Sequence, residues 1–184
     1  MKSLKGQLVI AAPSLETPFF ERTVILLIEH TEAGAHGIVL NRPSETTVGE
    51  IADQVLDEPF EWEKRVIVGG PVPGPLMIVH DDPELADRTI IPGVYCCVDP
   101  DKVRAAIRRR IEPSLVVVNY AGWGSGQLES EFEYETWVTI PAEIGHVFRE
   151  VDDDFWDEVV QVANAKKLSE YLGIKRLPDD PHVN

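Results

Sequence analysis

The sequence predicts an α/β protein of the α+β type, a mixed sheet covered by helices, and three observations carry that expectation. Strand-like and helix-like segments alternate along the 184 residues. A medium-length turn joins two neighbouring strand segments as a hairpin, which a purely parallel sheet does not contain. The run over residues 23–30 is apolar enough to be covered on both faces. A chain of this length reads as one domain, assigned to residues 1–176, with residues 177–184 as a mobile tail. Its apolar fraction of 43% is ordinary for a protein that fills a core.

The elements follow in order. Residues 7–12 read as the first strand and residues 23–30 as the second. Thr31-Glu32-Ala33-Gly34-Ala35 then turns the chain into a third strand over residues 36–40. Thr47-Val48-Gly49-Glu50 fits a capping box, so a helix is expected to run to about Leu56. Residues 65–68 form a strand that stops at Gly69-Gly70-Pro71, with residues 76–80 expected as its antiparallel neighbour. Residues 94–98 are strand-like. Asp99 caps the next helix with Pro100 in its first turn, where the N–H groups lack intrahelical partners. Val103, Ile107 and Ile111 fall four apart on one face of that helix. Residues 115–120 give the strongest strand signal in the chain. A helix over 127–134 and a strand over 136–140 come next. The last helix covers residues 155–172, with Asn164 as its expected weak point and Gly173 as its stop.

Charge and cysteine usage narrow the function. With 32 acidic and 17 basic residues the net charge is −15, which repels a phosphate backbone and argues against direct nucleic-acid or anionic-membrane binding. The apolar run near the start, residues 8–12, is too short for a secretory signal, and no stretch approaches a membrane-spanning length. Cys96 and Cys97 are neighbours, a spacing that rarely reaches disulfide geometry, and in a strand they point to opposite faces. The expectation is a cytoplasmic protein with reduced thiols.

A set of short motifs is more specific than composition. Ala12-Pro13-Ser14-Leu15 is followed by Pro18-Phe19-Phe20-Glu21-Arg22-Thr23-Val24, then Glu29-His30. Gly37-Ile38-Val39-Leu40-Asn41-Arg42-Pro43 and Gly69-Gly70-Pro71-Val72 come next. Tyr120-Ala121-Gly122-Trp123-Gly124-Ser125-Gly126-Gln127-Leu128-Glu129 and Trp137 close the set. In this order, and over nearly the whole chain, they resemble the YqgE/AlgH family of bacterial proteins. The resemblance implies a compact domain with a strongly bent, barrel-like sheet and flanking helices. It brings no established reaction; some members carry a transcriptional-regulator label inherited from a genetic link to alginate production. Two positions depart from the family pattern. Many members have cysteine before the Glu-His pair, where this chain has Ile28, so a redox role through that thiol does not transfer. Many have glycine before the Tyr-Ala pair, where this chain has Asn119.

The candidate site residues are Glu21, Arg22, His30, Asn41, Arg42, Gly122, Trp123, Gly124, Ser125 and Gly126. The glycine segment is not a P-loop, because no Lys-Ser or Lys-Thr follows its last glycine. Nor is it a nucleophile elbow, since Gly124 and not serine holds the middle. One reading is a tight strand-to-helix corner sealed by Trp123. Gly124 is then the position where a positive φ would matter most, and Ser125 the residue that would cap the helix. The other is a carboxylate site built from the N–H groups of Gly124, Ser125 and Gly126, with Glu129 and Glu131 opposing any polyphosphate. Glu21-Arg22 reads as a brace at a chain crossing and Asn41-Arg42-Pro43 as a turn leaving the sheet. Both arginines in one cleft would favour an anion.

No histidine pair has zinc-motif spacing, and His30, His36 and His80 read as surface residues at strand ends. No metal or cofactor is expected. The basic run Lys102, Arg104, Arg108, Arg109 and Arg110 reads as a solvated helix face, without a reader helix for DNA. Two functions remain open: a noncatalytic binding or regulatory adaptor module with a protein partner or small anionic ligand, and an enzyme acting on a small anionic substrate near Gly122–Gly126 through Glu21 or His30.

Overall fold

In the computed structural model, which describes residues 2–56 and 58–172, eleven strands divide between two sheets. The first sheet is wholly antiparallel. It holds β1 (Gln7–Ala11), β2 (Val24–Thr31), β3 (Gly34–Val39), β10 (Ala121–Gly124) and β11 (Trp137–Pro141), in the order β10-β3-β2-β1-β11. The second holds β4 (Pro43–Thr47), β5 (Arg65–Val68), β6 (Met77–His80), β7 (Arg88–Ile91), β8 (Val94–Cys97) and β9 (Ser114–Val118), in the order β4-β5-β9-β6-β8-β7. Only β5 and β9 run parallel. The helices are α1 (Val48–Leu56), α2 (Pro100–Arg109), α3 (Gln127–Glu133), α4 (Ile144–Val147) and α5 (Phe155–Tyr171). The α+β class with flanking helices is as the sequence predicts. The strands do not close into a barrel; they stack as two sheets.

Side-chain alternation along the strands builds three apolar layers. Leu8, Ile10, Leu26 and Ile38 meet Ile67, Val79, Leu115 and Val117 between the sheets. Val9, Ile25 and Leu27 face outward under Trp123, Leu128 and Trp137. Val66, Ile78 and Val116 lie beneath Val48 and Ala52 of α1 and Val103 and Ile107 of α2. β2 therefore has both faces covered, which is why its first five residues can all be apolar. Cys96 enters the inter-sheet layer and Cys97 the helix-covered one, as alternation requires. Helix signals hold too. The Thr47 N–H donates to Glu50 Oε2 at 2.7 Å, and Asp99 accepts from the N–H groups of Asp101 and Lys102.

Several expectations fail for identifiable reasons. Residues 76–80 do not pair with residues 65–68, because β9 lies between β5 and β6. The segment between them closes no hairpin. Val72 instead exchanges both backbone hydrogen bonds with Tyr120 at 3.0 Å, and a Cβ on Gly70 would stand 1.9 Å from the Tyr120 carbonyl carbon. The chain after Arg42 does not simply turn away; it becomes the edge strand β4, with proline first, a position that donates no ladder bond. Asn164 does not interrupt α5. His30 and His80 are not surface residues, being 6% and 0% exposed. The expected tail and the Gly173 stop lie outside the described residues. No helix among those residues is long and apolar enough to cross a membrane.

Candidate functional site

The ten candidate residues fall into two groups at opposite ends of β2. That strand has eight residues, so its ends stand roughly 23 Å apart at about 3.3 Å per residue.

At the start of β2, Glu21, Arg22, Asn41 and Arg42 line one cleft of about 330 Å³ together with Asp152 and Asp153. Their polar atoms are largely engaged. Asn41 Oδ1 accepts from the Val24 N–H at 3.0 Å and its Nδ2 donates to the Arg22 carbonyl at 2.8 Å. Arg42 donates to the carbonyls of Asn41, at 3.1 Å, and Glu21. Burial lowers the pKa of its guanidinium, against the pull of Glu21. Arg22, at φ 54°, donates to Asp157 at 2.6 Å and lies 4.3 Å above the Trp156 ring centre. Both arginines do share a cleft, but three carboxylates share it with them, so it offers no net attraction to an anion.

At the far end of β2, His30 is buried. Its Nδ1 accepts from the Leu4 N–H at 2.9 Å, which leaves Nε2 to donate to Glu129 Oε1 at 2.8 Å. The glycine segment is not a loop at its start, since Ala121–Gly124 is the edge strand β10, paired with β3. Gly124 has no positive φ; Gly126 does, at 70°, and is the N-cap of α3. Ser125 caps nothing: its hydroxyl donates to the Glu32 carbonyl at 2.6 Å and ties β10 to the β2–β3 turn. The Gly124 N–H is already taken by Gln127 Oε1 at 3.0 Å. Trp123 and Trp137 both donate to Glu131 Oε2, at 2.9 and 2.7 Å. These groups brace the corner, and one of the three N–H groups of the expected carboxylate site, that of Gly124, is already taken.

A recess that no sequence motif marks as a whole lies beside this corner, between the two sheets. A slot of about 270 Å³ is walled mainly by apolar groups of Ile28, Met77, Cys96, Val98 and Tyr120. A register shift between Leu27 and Glu29 brings Ile28 and Glu29 both to the slot. Burial pushes the Cys96 thiol up to about 11, so it is an apolar wall and not a nucleophile. The mouth carries an ion pair, Arg88 Nη1 to Glu29 Oε2 at 2.9 Å, with His36 Nδ1 3.9 Å from the same oxygen. Arg88 stands directly opposite Cys96 on the neighbouring strand, which aims it at the slot. Burial pushes the Asp87 carboxyl up, but Lys102 at 2.7 Å and the N–H groups of Val98 and Asp99 outweigh it and hold it at about 2. Glu29 and Tyr120 belong to the family-like motifs; nothing in the sequence marks Arg88. Among the described residues no cluster of three His, Cys, Asp or Glu side chains is placed to hold a metal ion.

Comparison with known proteins agrees with the motifs. The AlgH-like family model matches residues 8–167. A UPF0301 protein of Xanthomonas euvesicatoria pv. vesicatoria (strain 85-10) is 38% identical over 161 residues, covering 83% of this chain and 85% of its own length. A UPF0301 protein of Xanthomonas campestris pv. campestris (strain B100) is 39% identical over 160 residues, with the same coverage. The solution structure of the AlgH protein from Pseudomonas aeruginosa aligns with a TM-score of 0.74 at 28% identity, over 96% of this chain and 99% of that one. A crystal structure from Corynebacterium diphtheriae shares the fold, with a TM-score of 0.68 at 24% identity over 88% of each chain. The chain belongs to the AlgH-like family.

Proposed function

We propose that this protein is a noncatalytic binding module with a regulatory, adaptor-like output, and that the slot between the sheets is its ligand site. The observation that supports this reading is the slot itself: a preformed, mainly apolar recess with a few polar groups gathered at its mouth. The enzyme reading needs Glu21 or His30 to work beside the glycine segment. Glu21 lies at the other end of β2, and both ring nitrogens of His30 are engaged. Regulation acts through a protein partner and not by direct DNA contact. The net charge of −15 opposes it, and carboxylates are interleaved with the basic stretch, Glu58 at 3.0 Å from Arg108 and Asp101 at 3.3 Å from Arg104.

Amide-resolved NMR with a panel of small molecules that share an apolar side chain and carry neutral, anionic, cationic or zwitterionic head groups tests the reading. Saturable shifts are expected around Ile28, Cys96 and Tyr120, and Val98→Trp, at the partly exposed rim, should abolish them while the fold persists. Shifts centred on Arg22 and Arg42, or probe binding that survives Val98→Trp, would remove the slot as the ligand site.

A further inference from the structure

An apolar slot can hold almost any small greasy molecule, so its selectivity must come from its mouth. We infer that the slot takes a small zwitterion with an apolar side chain, an α-amino acid of the leucine, methionine or phenylalanine kind, with its carboxylate read by Arg88 and its ammonium by Glu29. This rests on the slot being the ligand site.

Size comes first. At about 270 Å³ the slot sits at the small end of ligand pockets, which run from about 300 Å³ upward. Charge comes next. The mouth presents one guanidinium and one carboxylate in contact at 2.9 Å. The nearby Asp87 carboxylate is already matched by Lys102 and two backbone N–H groups. A net anion at this mouth meets Glu29, and a net cation meets Arg88. A neutral apolar molecule strips water from the pair and returns nothing. A zwitterion offers each member a partner of opposite sign. It is also indifferent to the long-range field of a chain with net charge −15, which disfavours a free anion.

The pair is built to open. The Arg88 and Glu29 side chains are 60% and 43% exposed, and they meet through one nitrogen and one oxygen. An exposed contact of this kind contributes little to stability, so parting it costs little. Arg88 uses one of its N–H donors on Glu29, and its planar fork matches a carboxylate in two-point contact. The apolar side chain of the ligand then runs inward past Ile28 and Met77 toward Cys96, while His36, edge-on to Tyr120 at 5.3 Å, borders the head group.

Calorimetry on the full chain decides it. The probes are leucine, methionine and phenylalanine, the amide of each, the N-acetyl form of each, and 4-methylpentan-1-ol as a neutral apolar control. At least one free amino acid should bind saturably, and its amide and N-acetyl forms should each bind roughly tenfold more weakly or worse, the effect of leaving a charged group unpaired. Arg88→Gln should erase the penalty for the amide, Glu29→Gln the penalty for the N-acetyl form, and Val98→Trp all binding. Equal binding of amino acids, derivatives and alcohol, all lost in Val98→Trp, would overturn the zwitterion and keep the slot. Silence from every probe, or binding untouched by Val98→Trp, would overturn both.

Discussion

At the start of β2, Arg22 donates to Asp157 at 2.6 Å and Arg42 donates to two backbone carbonyls. At its far end, Arg88 holds Glu29 at 2.9 Å above an apolar recess. The residue types are alike and the connections differ. In the first cluster Asn41 and Arg42 bond to main-chain groups of Glu21, Arg22 and Val24, where the chain enters β2. Backbone groups outside a ladder need partners, and this cluster supplies them. At the slot, two exposed side-chain tips meet each other, and among the described residues their side chains make no hydrogen bond to the backbone. Charge alone does not separate the two ends, and neither does an exposed ion pair, since Arg22–Asp157 resembles Arg88–Glu29; the main-chain bonds of Asn41 and Arg42 do.

Breaking the brace is the strongest test of that contrast. Asn41→Ala removes the acceptor for the buried Val24 N–H and the donor to the Arg22 carbonyl. It should cost about 1–3 kcal/mol in urea unfolding and leave slot binding unchanged. A loss of ligand affinity without a loss of stability would reverse the assignment of the two ends.

A milder test is at the slot wall. The Asp87 carboxyl titrates at about 2 in the fold against an ordinary 3.8, so the unfolded chain takes up the proton first as pH falls. The stability from this group is complete above pH 3.8 and is lost as pH drops toward 2. Lys102→Met should move the folded value up toward 3.8, narrow that window and lower stability at neutral pH. Carboxyl NMR titration reads the shift. An Asp87 value still near 2 would mean that the Val98 and Asp99 N–H groups suffice.

Much of this was legible in the sequence. The apolar run of β2, the Thr47–Glu50 box and the Asp99 cap are local signals, and local physics honours them. Arg22 and Arg42, each beside a strand end in the sequence, line one cleft in the fold. What stayed hidden depends on long-range pairing. The insertion of β9 between β5 and β6 joins segments some fifty residues apart in the chain. The slot is assembled from five strands, and Arg88 lies on a short strand with no motif. His80 reads as a strand-end surface residue, yet sits fully buried, opposite Ser114 on β9. β10 escaped because glycines at alternate positions look like a turn. They form a strand here because they pair with β3, and the close approach falls on the β3 side: a Cβ on Gly34 would stand 2.2 Å from the Trp123 carbonyl oxygen.

The smallest effect comes from the glycine segment and sharpens the contrast at the slot end. Gly126 has a φ of 70° with no heavy atom within 4 Å of an added Cβ, so its constraint is purely conformational. Gly126→Ala should cost about 1 kcal/mol, the usual penalty for a side chain in the left-handed region. Gly124 lacks a positive φ, and its added Cβ would meet only Gln127 Oε1 at 3.8 Å, an ordinary contact. In a strand, alanine regains roughly 0.5 kcal/mol over glycine through the unfolded chain. Gly124→Ala should therefore be neutral or slightly stabilising. Both variants should bind the slot ligand as the wild type does, because neither residue lines it. Paired thermal melts with and without ligand measure all four quantities. If Gly124→Ala matched Gly126→Ala in cost, or if either weakened binding, the glycine segment would belong to the site and not to its scaffold.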